Sequence, residues 1–229
     1  MRLMSPSLTV DAEPYEFICE PAHTAFLVID MQRDFLEGGG FGELLGNDVT
    51  PLRRAVGPTR RVLEAFRRAG LTVIHTREGH QVDLSDCPPS KRARGRLPVG
   101  IGDQGPMGRV LVRGERGHGI IDELAPLPGE PVIDKPGKGA FYATNLDLVL
   151  GDRAIRSLVV AGVTTEVCVH TTVREANDRG WECLVLEDCV ASYFPEFQAA
   201  ALKMIAAQGG IFGWVSDSDR LLRALASLT

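Results

Sequence analysis

Three side chains in this chain have the types and positions that nucleophilic chemistry requires. Cys168 stands within the first turn of a predicted helix, just after Gly162-Val163-Thr164-Thr165-Glu166-Val167. Backbone N–H groups at a helix start lack intrahelical partners and stabilise negative charge. They therefore favour the thiolate, the nucleophilic form of cysteine. The same groups can hold an oxyanion when sulfur attacks a carbonyl. Glu166 opposes this by adding negative charge nearby. Asp30 ends the apolar run Ala25-Phe26-Leu27-Val28-Ile29, where a carboxylate can take the thiol proton and pass it to a leaving amine. Lys135 closes Pro131-Val132-Ile133-Asp134 and can pair with Asp30 beside the thiolate. Each residue also has a plainer reading: a small buried hydrophobe, a turn-capping Asp and a surface lysine. His75 and His80, with Asp83 beyond, fit no metal-ligand spacing, so no metal is expected.

The elements that must position these residues alternate along the chain. Strands are expected at 25–30, 71–75, 131–135, 157–161, 181–187 and 211–215, with a further short one at 110–112. Helices are expected from Thr50 to Arg68 and over 146–150, 166–178, 195–207 and 217–225. Such alternation calls for a mostly parallel sheet covered on both faces, a three-layer α/β/α sandwich. Ligands in these sheets bind beyond the carboxyl ends of the strands, where Asp30, Lys135 and Cys168 all fall. Whether they meet depends on the strand order, which the sequence leaves open. Residues 1–22 read as an N-terminal arm and 23–229 as a single domain. Within the latter, the polar, Gly- and Pro-rich stretch 76–129 is a long excursion.

Composition narrows the function classes. The 229 residues carry 25 Lys and Arg against 30 Asp and Glu, a net charge of -5 that disfavours general nucleic-acid binding. No apolar stretch approaches the roughly 18 residues of a membrane helix, and no secretory h-region opens the chain. The five cysteines, Cys19, Cys87, Cys168, Cys183 and Cys189, form no CxxC pair. Reduced thiols in a cytoplasmic protein are the natural expectation. Cys183 and Cys189 read as core residues, and Cys87, before Pro88-Pro89, as exposed. The basic run from Lys91 to Arg96 reads as a solvated loop, and the arm and Trp214 as contributors to an oligomer interface.

Three segments in order carry a resemblance: Ala25-Phe26-Leu27-Val28-Ile29-Asp30-Met31-Gln32-Arg33-Asp34-Phe35, Asp134-Lys135-Pro136-Gly137-Lys138-Gly139-Ala140-Phe141 and Gly162-Val163-Thr164-Thr165-Glu166-Val167-Cys168-Val169. Together they resemble the isochorismatase-like cysteine hydrolase superfamily, over residues 23–226. The resemblance implies an α/β sandwich with an Asp–Lys–Cys triad. Asp30 would be the base and later the acid, Lys135 the electrostatic partner and Cys168 the nucleophile. It also implies a cis peptide at Val163–Thr164, which turns the Thr164 N–H toward the oxyanion beside that of Cys168.

Within the superfamily, the segments 75–80, 133–139, 174–180 and 208–213 are similar to biuret hydrolases and their triuret-cleaving relatives. This implies an amidohydrolase that cleaves a C–N bond of a small ureide through a cysteine acyl-enzyme. Lys138 and Gln208 would bind the substrate's carbonyl and amide groups, and Phe35 and Phe41 would wall the pocket. No cofactor and no metal would be used, and the enzyme would be a homo-oligomer, a dimer or tetramer. Ala191-Ser192-Tyr193-Phe194-Pro195 and Tyr142 depart from the biuret-hydrolase pattern, which leaves the ureide's length open. The Asp–His–His set of metal-dependent nicotinamidases is not found. Other readings keep the triad for a ureidoacrylate or N-carbamoyl-amide substrate, or make the chain an inactive binding protein. The presence of all three triad residues counts against the last. A redox sensor built on Cys168 would want a resolving thiol, and no CxxC supplies one.

Overall fold

The computed structural model describes residues 7–92 and 97–226. Residues 1–6 of the expected arm, 93–96 of the basic run and 227–229 lie outside the described residues. The strands are β1 (Leu8–Val10), β2 (Phe17–Cys19), β3 (Thr24–Ile29), β4 (Thr72–Glu78), β5 (Gln104–Gly105), β6 (Gly108–Arg109), β7 (Val132–Lys135), β8 (Ser157–Val163), β9 (Glu182–Ala191) and β10 (Trp214–Ser216). The helices are α1 (Arg33–Leu36), α2 (Phe41–Leu44), α3 (Thr50–Arg53), α4 (Val56–Arg68), α5 (Pro89–Arg92), α6 (Leu146–Asp152), α7 (His170–Asp178), α8 (Pro195–Gly210) and α9 (Ser218–Ala226).

Six strands form one parallel sheet in the order β10-β9-β8-β3-β4-β7. Every residue of β3 and β8 is buried. Continuous apolar runs of this kind belong to strands covered on both faces. The period of two divides β3 between two cores: Phe26 and Val28 face one, and Ala25, Leu27 and Ile29 the other. The first core takes Val62, Leu63 and Phe66 from α4 and Leu221 and Leu225 from α9. The second takes Leu146 and Leu150 from α6 and Val173 and Ala176 from α7. This is the expected three-layer α/β arrangement.

Several boundaries differ from expectation. The helix expected from Thr50 to Arg68 is two helices, α3 and α4, and the second restarts with Gly57-Pro58 in its first turn. Pro58 is tolerated there because first-turn N–H groups have no helical partner. β4 runs on to Glu78, β8 to Val163 and β9 to Ala191, beyond the apolar runs that announced them. Residues 110–112 form no strand. Leu111 has a φ of 51, and its N–H donates to the buried Asp34 carboxylate at 3.1 Å. α8 loses helical geometry at Ala207, Gln208 and Gly209.

The arm contributes side chains to the first core. Leu8, Val10 and Phe17 are buried, and Glu13 pairs antiparallel with Val215 on the outer edge of β10. The Tyr15 and Phe17 rings pack edge-on against Trp214 at 5.4 and 5.2 Å. The arm thus covers part of Trp214, which stays half-buried. Cys87 is also buried, against Leu84 and Val112, rather than exposed. Among the described residues, no helix is long and apolar enough to cross a membrane.

Candidate active site

The strand order answers the question the sequence leaves open. β3 lies between β8 and β4, with β7 beyond β4, and all run in the same direction. The residues at their carboxyl ends therefore share one edge. Lys135 ends a strand two positions from β3, roughly 10 Å away, a span its long side chain can cross. Its Nζ reaches Asp30 Oδ2 at 2.7 Å and donates to the carbonyls of Gly137 and Lys138 at 3.0 and 2.8 Å. Thr76 Oγ1 on β4 donates to Asp30 Oδ1 at 2.6 Å. Asp30 sits just past β3 with a φ of 53. A non-glycine residue in this left-handed region is a strained backbone position of the kind that clusters at active sites.

The nucleophile turn is shaped by a close approach of two strands. Gly162, with a φ of 130, lies against β3 so tightly that a Cβ would come within 2.0 Å of the Ile29 carbonyl oxygen. Only glycine fits there. The Val163–Thr164 peptide that follows is cis. Thr165–Val169 then makes a π-helical turn, a feature frequent at functional sites, before α7 begins. Cys168 is 4% exposed, and its Sγ lies 3.5 Å from Glu78 Oε2. One ligand atom from each of Asp30, Glu78 and Cys168 lies within 4.8 Å of the others.

Glu78 is the site residue that sequence reasoning missed. It is fully buried, and its Oε1 takes hydrogen bonds from Lys138 at 2.7 Å and Lys91 at 3.2 Å. Its backbone is clamped by the buried Gln32 side chain. Gln32 Nε2 donates to the Glu78 carbonyl at 2.9 Å, and the Glu78 N–H donates to Gln32 Oε1 at 2.7 Å. Lys91, read from sequence as part of a solvated loop, instead reaches inward and also donates to the Pro136 carbonyl at 2.7 Å. The physical reason is electrostatic: a buried carboxylate draws in the cations that offset its lost hydration.

The charges tune one another. Burial alone would push the Glu78 carboxyl up, yet Lys138, Lys135 and Lys91 hold it down at about 2. Burial pushes Asp30 up, only partly opposed by Lys135. Burial would lower Lys135, but the charges of Asp30, Cys168 and Glu78 outweigh it and keep the ammonium protonated. The Cys168 thiol is raised well above its ordinary value by burial, aided by Asp30 and Glu78 and opposed by Lys135 and Lys138. A cation bound by Asp30, Glu78 and Cys168 would have to share them with these ammonium groups.

The remaining predicted residues divide. Lys138, whose side chain is 43% exposed, joins the buried cluster to solvent. Together with Phe41, Lys91, Arg92 and Tyr142 it lines a cavity of about 410 Å³. Phe35 is buried, and its carbonyl accepts a hydrogen bond from the Tyr193 hydroxyl at 3.1 Å. Gln208 is not brought to this cluster. α8 leaves the carboxyl end of β9 and returns to the start of β10, so exposed Gln208 lies at the opposite edge of the sheet. His75 and His80 diverge as well, His75 to Glu130 and His80 to Asp86. A larger cavity, about 650 Å³, opens between β9 and α8 and contains none of these site residues.

The fold is shared with known proteins. A family model described as the Isochorismatase domain matches residues 24–220. A cysteine hydrolase from Pseudomonas syringae pv. phaseolicola superposes with a TM-score of 0.78 at 25% identity, covering 99% of this chain and 100% of that one. N-carbamoylsarcosine amidase from Thermoplasma acidophilum gives a TM-score of 0.65 at 28% identity, covering 86% and 96%. A nicotinamidase/pyrazinamidase from Bacillus subtilis shares the fold, with a TM-score of 0.68 at 24% identity over 85% and 99%.

Proposed function

The chain belongs to the isochorismatase family, and on that premise we propose that it is a cysteine amidohydrolase of small ureides such as biuret or triuret. The observation that carries this reading is the buried meeting of Asp30, Lys135 and Cys168 at the carboxyl edge of the sheet. A flat polar ureide suits a pocket where Lys138 offers donors and Phe41 an apolar wall.

In this mechanism Asp30 accepts the Cys168 proton and sulfur attacks the ureide carbonyl, forming the S–C bond. The N–H groups of Thr164 and Cys168 hold the oxyanion. Asp30 returns the proton to the departing nitrogen as the C–N bond breaks. Asp30 then takes a proton from water, whose oxygen displaces sulfur from the acyl carbon and restores the thiol. Lys135 remains an ammonium throughout and stabilises the carboxylate each time it forms. No metal or cofactor takes part.

Ammonia release from biuret and triuret by wild type and Cys168→Ala tests the reading. Loss of about 10⁴-fold or more is expected for a missing nucleophile. Retained activity in the alanine variant refutes the assignment. An N-carbamoyl substrate bearing a carboxylate is the second reading. It is favoured by the cavity lining, which holds Lys91, Arg92 and Lys138 and no acid. The likeness to an N-carbamoylsarcosine amidase points the same way. A substrate panel separates the two. A cytoplasmic homo-oligomer, dimer or tetramer, completes the proposal. It is supported by exposed Phe197, Met204 and Ile211 on and just after α8, and light scattering checks it.

A further inference from the structure

Glu78 has no task in the proton path above, yet it is placed at considerable cost. It is fully buried, fixed through its backbone by Gln32, and held by three lysines. An anion next to sulfur opposes formation of the thiolate. A carboxylate held so firmly ionised is also a poor proton acceptor. What it does offer is a rigid hydrogen-bond acceptor directly over the nucleophile, with Oε2 3.5 Å from Sγ.

A ureide carbonyl differs from that of a simple amide in one respect: it carries nitrogen on both sides. One nitrogen departs and requires the proton from Asp30. The other is retained and presents an N–H that needs an acceptor. We propose that Glu78 is the specificity residue that accepts this second N–H, and that the exchange frees the Cys168 thiol. At rest the thiol donates to Oε2. When substrate arrives, its N–H takes that place and the S–H turns to Asp30. The nucleophile is thus held in reserve until a substrate with nitrogen on both sides of its carbonyl arrives. Sites built around a substrate N–H reject analogues that lack it, because the buried acceptor is left without a partner.

This inference rests on the ureide reading, and its test separates the two. Biuret and malonamide differ only in replacement of the central N–H by CH₂. Glu78→Gln in the full chain is expected to lower kcat/KM for biuret about 100-fold and for malonamide less than threefold. Where malonamide turnover is below detection, its inhibition constant serves in its place. The pH midpoint of Cys168 alkylation by iodoacetamide should move downward in the same variant, because a negative neighbour has gone. Turnover and thiolate formation therefore change in opposite senses, which simple structural damage does not produce. Equal losses on both substrates, or an unmoved alkylation midpoint, overturn the role of Glu78. A wild type that releases no ammonia from any ureide overturns the ureide reading instead, and the alkylation profile still reports on the contact between Glu78 and the thiol.

Discussion

The ends of β3 and β4 lie side by side at one edge of the sheet, and each presents a fully buried carboxylate. Their environments are opposite. Asp30 faces one ammonium and one hydroxyl, and burial keeps its carboxyl above the ordinary range. Glu78 faces three ammonium groups, which override burial and hold it at about 2. Two groups of the same chemistry are thereby assigned different work. Divergent environments of this kind separate a proton carrier from a fixed charge. The raised carboxyl of Asp30 suits a proton carrier, whereas Glu78 remains an anion.

The contrast breaks most visibly at Asp30. Asp30→Asn removes the proton carrier and leaves Lys135 buried beside a neutral amide. A fall in kcat of about 10³-fold or more is expected for a lost acid–base group that serves both half-reactions. Stability should fall by up to about 3 kcal/mol, because the buried ammonium loses its nearest carboxylate and keeps only Glu78, at 3.9 Å. Steady-state kinetics and urea unfolding measure the two effects, and a variant with a tenth of wild-type kcat removes Asp30 from the proton path.

Acid unfolding sharpens the Glu78 side. Its folded carboxyl is depressed from 4.5 to about 2. The unfolded chain therefore binds the proton first as pH falls. The stabilisation is present above about pH 5 and is lost toward pH 2, and amounts to roughly 3 kcal/mol. Glu78→Gln should flatten that part of the stability curve. His118 acts in a higher window. Burial and Arg77 depress it from 6.5 to about 4. Its loss therefore runs from about pH 6.5 down to about pH 4, and His118→Gln removes that slope alone. The smallest effect belongs to Lys91, one of three cations on Glu78, with a partly exposed side chain. Lys91→Met should cost under about 1 kcal/mol, because Lys138 and Lys135 remain to hold the carboxylate. A collapse in thermal stability would show that the three lysines are not redundant.

What the sequence reveals about this pair is uneven for a physical reason. Asp30 is announced by the five apolar residues before it. Cys168 is announced by a glycine-led turn into a helix, and Lys135 by a short β-branched run. Glu78 is hidden because Thr76, Arg77 and Glu78 look like a loop, although β4 carries them to the carboxyl edge. Thr76 and Glu78 point to the buried charge cluster, so polarity there marks function rather than solvent. Lys91 is hidden because charge in a Gly- and Pro-rich stretch reads as solvated until a buried anion is known to attract it. Gln208 shows the converse. Its segment matched a familiar pattern, yet the course of α8 carries it to the other edge. The apolar skeleton was legible from periodicity, whereas burial of polar groups depends on neighbours far away in sequence.

The arm laid along β10 bears on how the chain avoids sticking to itself. An open strand edge is a template for pairing with another molecule. The bridge from Glu13 to Val215 and the hydrogen bond from Ser216 Oγ to the Asp11 carbonyl occupy that edge from within. The cover lies at the start of the chain and the edge near its end. During synthesis the protective segment therefore emerges before the surface it shields.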